Sequence, residues 1–75
     1  MTDYDLSNPI QAKVKQRMDI LQGWMESNYH LQRPEVVLEH IDTITKFCGV
    51  MQEEDTDYIQ GARYAIENKI AWNLS

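Results

Sequence analysis

Seventy-five residues leave room for one domain, and a chain this short buries only about 60–65% of its unfolded surface. With 43% hydrophobic and 25% charged residues it is too apolar to stay disordered, and its single cysteine excludes an internal disulfide and any zinc site needing two thiolates from one chain. The net charge of −5 comes entirely from residues 35–75, so broad, non-specific binding to nucleic acid is disfavoured.

The opening "MTDYDLSNPI" has no basic region followed by an apolar run, which reads as non-secreted. No stretch reaches the ~18 apolar residues of a membrane span. A soluble protein of a reducing, cytoplasmic compartment is the expectation. Residues 1–7 read as a flexible tail. Asn8 then offers a side-chain cap, and Pro9 suits the first helical position.

The first predicted helix spans about 9–28. Ile10, Val14, Met18, Leu21, Trp24 and Met25 recur at helical spacing on one face. Beside that face Lys13, Arg17, Ile20 and Trp24 form a ridge at i, i+4, i+7 and i+11. Basic groups next to an aliphatic and an indole suit docking of an acidic, apolar protein, because Arg and Trp are favoured interface anchors. The same ridge could stack a base and contact phosphate, which makes a single-stranded nucleic-acid accessory factor the alternative. In the structural reading, Ile20 and Trp24 only widen the core.

"NYHLQRP" makes the connection, and Pro34 opens a second helix expected over about 34–50. Glu35, Glu39, Asp42 and Lys46 fall within about 60° on a wheel of 100° per residue. Val37, Leu38, Ile41, Ile44, Cys48 and Met51 fill the opposite side, and Gly49 is the expected stop, with Val50 folding back on it. The acidic stripe complements the basic ridge, so a homodimer with helix 1 of one chain near helix 2 of the other is consistent with the charges. Cys48 with His40 and Asp42 invites a nucleophile reading. Eight residues of helix separate Cys48 from His40 by about 12 Å, so the two cannot meet, and Cys48 reads as a buried structural thiol. His30 and His40 could hold a metal only with carboxylates from elsewhere.

The third helix is expected over about 56–72. It is preceded by "QEEDTDYIQG", which crowds Glu53, Glu54, Asp55 and Asp57 together. A calcium loop starting at Asp55 finds oxygens at its first and third positions but Ile59, Gln60 and Ile66 at its fifth, sixth and twelfth. The stretch fits a helix mouth better, with Asp55 or Thr56 as cap and the other carboxylates favoured by the helix dipole. Those charges can also dock a partner. Gly61 costs a helix interior roughly 1 kcal/mol against alanine, and with Ala62 and Ala65 nearby it marks close approach of a backbone or an aromatic ring. Lys69 is expected to lay its stem on the core near the helix end.

The expected fold is therefore an all-α, compact three-helix bundle. No metal or other cofactor is expected. No phosphate-cradling loop and no placed acid–base pair is visible, which argues against an enzyme. "EEDTDYIQGARYAIENKIAW" resembles the C-terminal ends of small proteins encoded by tailed phages, particularly those infecting cyanobacteria. A fainter similarity, through "DTD" before a final helix, points to a small helical accessory protein encoded beside a phage recombination helicase. The resemblance implies a phage origin and a helical accessory or host-modulating role, in the cytoplasm of the host cell. It implies no reaction and carries over no residues. The expected partner is a host or phage protein, or a second copy, met by Lys13, Arg17, Ile20 and Trp24 and by Glu53, Glu54, Asp55 and Asp57.

Overall fold

The computed structural model describes residues 5–47, 49 and 51–72. It is an all-α three-helix bundle: α1 (Pro9–Glu26), a short 3-10 turn (Tyr29–Leu31), α2 (Pro34–Thr45) and α3 (Glu53–Glu67). Asn8 caps α1, its side chain accepting from the N–H groups of Ile10 (3.0 Å) and Gln11 (3.4 Å). Residues 5–7, read from sequence as part of a tail, form a turn folded onto α1. The Asp5 N–H donates to Gln11 Oε1 at 2.7 Å, and the Asn8 N–H to the Asp5 carbonyl at 3.0 Å. Ser7 donates twice to the Asp5 carboxylate and holds its pKa below the usual value.

α2 packs against α1, the 3-10 turn and α3. The core follows helical spacing: Val14, Met18, Leu21 and Met25 from α1, Val37, Ile41 and Ile44 from α2, and Ile59, Ala62, Ala65 and Ile66 from α3. Ile10, expected in the core, is 47% exposed at the open end of α1.

The second helix stops at Thr45 rather than near residue 50. Thr43 and Thr45 turn their hydroxyls back onto the carbonyls of Glu39 (3.1 Å) and Asp42 (2.8 Å). The Asp42 carbonyl is among the last of the helix, and the Thr45 hydroxyl satisfies it where no further helical N–H follows; the Thr43 bond lies within the helix. With the helix ending at Thr45, Gly49 is not the stop, and Cys48 and Val50 lie outside the described residues.

The third helix starts earlier than expected. Gln52 is its N-cap residue, with no side-chain cap bond, and its carbonyl accepts from the N–H groups of Asp55 and Thr56, both at 3.1 Å. Thr56 also donates its hydroxyl to that carbonyl at 3.2 Å. Neither Asp55 nor Thr56 is the cap; Glu53, Glu54 and Asp55 form the first turn, where the helix dipole favours negative charge.

The helix also ends earlier, at Glu67. Lys69 takes a left-handed conformation (φ 56°), its N–H meets the Ile66 carbonyl at 3.3 Å, and the Ile70 N–H meets the Ala65 carbonyl at 2.9 Å. This is a Schellman ending built without glycine. Lys69 is therefore a turn residue, and Ile70 and Trp72 lie on a returning strap rather than on the helix. Trp72 covers Gly61: a β-carbon there would stand 3.3 Å from the Trp72 ring. An aromatic ring thus makes the close approach expected at this glycine.

Trp72 also packs on Tyr58, with ring centroids 5.1 Å apart. The Tyr58 hydroxyl is buried without a hydrogen-bond partner, and burial, helped by the Glu26 carboxylate, pushes its pKa up to about 12 from 10.0. The folded chain keeps this proton where the unfolded chain has lost it. Stability is therefore whole below pH 10 and falls as pH rises towards 12. Tyr58→Phe should raise the midpoint of alkaline unfolding followed by circular dichroism. An unchanged midpoint would refute the assignment.

Candidate functional site

Residues 27–33 turn the chain back so that α2 lies along α1. Asn28 makes this possible by adopting φ 58°, a left-handed conformation that asparagine tolerates. Its N–H meets the Met25 carbonyl at 3.1 Å.

Between the two helices runs an open cleft of about 210 Å³, lined by Arg17 and Trp24 from α1 and by Val36, Glu39, His40 and Thr43 from α2. The α2 residues are spaced i, i+3, i+4 and i+7 and so share one flank of the helix. His40 fixes the two helices here. Its Nε2 lies 2.9 Å from the Arg17 carbonyl, and its ring meets Trp24 edge-on at 4.9 Å. A carbonyl only accepts, so Nε2 carries the hydrogen.

The α1 ridge expected from sequence divides. Trp24 is half-buried, packed against the core and tilted against Tyr29 at 5.4 Å. Arg17 is half-buried beside it, and Lys13 is exposed. Ile20, between Arg17 and Trp24 on the ridge, is 40% exposed. Trp24 thus belongs in part to the core, while Ile20 faces solvent. Across the cleft Val36 is 37% exposed.

The acidic group divides as well. Glu53, Glu54 and Asp57 are exposed, while Asp55 is only 5% exposed and is not without a partner. Asp55 cannot present its charge to a docking protein. It lies one turn before Ile59, on the stripe of α3 that faces the core. These residues stand at the start of α3 and do not line the α1–α2 cleft. A second cleft, of about 190 Å³, lies between α2 and α3 and is lined by Thr45, Met51, Thr56, Ile59, Gln60 and Arg63.

The two histidines are structural. His30 is 1% exposed, and its Nε2 lies 2.8 Å from the Ile70 carbonyl. Among the described residues no three His, Cys, Asp or Glu side chains come together as a metal-binding group, and no helix is long and apolar enough to cross a membrane.

Sequence reasoning missed Val36, His40 and Thr43 as members of the α1–α2 face. With Glu39, their spacing of i, i+3, i+4 and i+7 along α2 was the available signal. Comparison with known proteins finds no match among family models, curated proteins or solved structures.

Proposed function

We propose that this chain is a small acidic protein–protein interaction module that docks another polypeptide on its α1–α2 face. The observation that carries this reading is the company around the cleft. Two exposed aliphatics, Ile20 and Val36, flank an indole and a guanidinium that makes no ion pair among the described residues. Apolar contact area bordered by unpaired charge suits a protein interface. Glu53, Glu54 and Asp57 offer a second, acidic contact at the start of α3. The resemblance of the last third to small tailed-phage proteins supports a phage-encoded accessory or host-modulating role, exercised in the host cytoplasm by binding rather than catalysis.

The competing nucleic-acid reading needs a free aromatic face. Trp24 instead meets Tyr29 and His40 with its ring, which favours protein.

The test is capture from host lysate with wild type and a Lys13→Ala/Arg17→Ala/Ile20→Ala variant, which leaves Trp24 in place. The variant should lose the species that wild type retains. Equal recovery would mean that the face is wrong. Binding of single-stranded DNA at low salt, lost in the same variant, would favour the nucleic-acid reading.

A further inference from the structure

The α1–α2 face carries both halves of a charge pairing that its own chain does not make. Lys13 and Arg17 stand on α1, and Glu35 and Glu39 on α2. Arg17 and Glu39 even line the same cleft. Yet the ion pairs among the described residues are elsewhere: Lys15–Asp19 at 3.5 Å within α1, and Arg63–Asp42 at 3.3 Å between α3 and α2. Positive charge on one flank and negative on the other are left unmatched across a strip that also exposes Ile20 and Val36.

We propose that the occupant of this face is a second copy of the chain, related by a two-fold axis, so that α1 of each copy lies against α2 of the other. The proposal rests on reading the α1–α2 face as an interaction surface and names its partner. In a two-fold contact every pairing occurs twice, residue i with j and j with i. A surface with a basic flank and an acidic flank is therefore matched on both sides by its own copy. Arg17 and Lys13 of one protomer meet Glu39 and Glu35 of its partner, and the reverse. Ile20, one turn from Arg17 on α1, and Val36, beside Glu39 in the cleft, add exposed apolar area to the same contact, where exclusion of water strengthens it.

A stable interface buries about 800 Å² per partner, which is about a sixth of this chain's 5067 Å² surface. The three helices bury a small core, so association adds burial that the monomer lacks. A nucleic-acid strand would meet the acidic flank and a net charge of −5.

Sedimentation equilibrium across the micromolar range tests the proposal. Wild type should sediment with a dimer's mass at the upper end. Arg17→Glu and Glu39→Arg should each weaken association about tenfold or more. The combined Arg17→Glu/Glu39→Arg chain should recover it, because the pairing is restored with its signs exchanged. Both positions line the open cleft, so each variant should keep its helices, which circular dichroism checks.

Wild type at monomer mass throughout would overturn the proposal. So would a double variant as weak as the single ones. A monomeric wild type whose lysate capture still needs Lys13, Arg17 and Ile20 would sink the second copy and leave the interaction face standing. A monomer whose capture ignores those residues would sink both.

Discussion

Ile41→Ala is expected to cost the fold about 2–5 kcal/mol, against no more than about 0.5 kcal/mol for Ile20→Ala. Ile41 is fully buried on α2, the helix that packs against every other element. Truncating it removes the transfer energy of the lost methylenes and leaves a cavity that α1 and α3 cannot both close. A domain of this length has a total stability of roughly 4–11 kcal/mol. The substitution therefore removes a large part of it. Ile20 carries the same side chain one helix away, yet it is 40% exposed and leaves no cavity behind. Urea denaturation separates the two, with the midpoint of Ile41→Ala falling at an unchanged slope. Equal losses at both positions would place the α1 ridge inside the core and remove the interaction face.

His30→Ala is expected to cost about 2–4 kcal/mol, through a cavity and an abandoned carbonyl. The ring is 1% exposed. Its Nε2–H donates to the Ile70 carbonyl at 2.8 Å, and two residues away the Asn28 carboxamide oxygen accepts from the Trp72 N–H, also at 2.8 Å. The 3-10 turn region thus clasps the returning strap, and the strap holds Trp72 over Gly61. The other ring nitrogen, Nδ1, is buried without a hydrogen-bond partner. The imidazole is kept for its bond to the strap rather than for a complete polar network. His30→Gln can still donate an amide hydrogen and should lose less. Amide exchange at Trp72 should accelerate in His30→Ala and much less in His30→Gln. Unchanged exchange at Trp72 would show that the strap is held by packing alone.

The three helices and most of their buried faces were legible because their apolar residues recur every three to four positions. Val14, Met18, Leu21 and Met25, then Val37, Ile41 and Ile44, need no tertiary information to be grouped. The boundaries that failed were set by interactions that spacing does not reveal. α2 ends at Thr45, whose hydroxyl takes the Asp42 carbonyl, an ending that a periodic pattern running on to Met51 hides. Lys69 takes a conformation usually given to glycine or asparagine, so "ENKIAW" looked helical to its end. Gly61 was read correctly as a place of close approach, but only the fold could show that Trp72 fills it.

The candidate face was half legible. The ridge of Lys13, Arg17, Ile20 and Trp24 follows from spacing, whereas its division into a packed indole and an exposed aliphatic depends on where His40 and Tyr29 fall. Asp55 shows the same limit. Its neighbours Glu53, Glu54 and Asp57 face water, and its burial follows from its place one turn before Ile59.

If the α1–α2 face is where this chain meets another, a photo-crosslinking amino acid at position 20 reads that contact directly. Irradiation of the pure protein should yield a covalent dimer from position 20 and none from position 64, whose tyrosine is 63% exposed on α3. A crosslink to a partner peptide near Val36 and Glu39 would fix the predicted pairing. Dimer formed from position 64 and not from position 20 would contradict it.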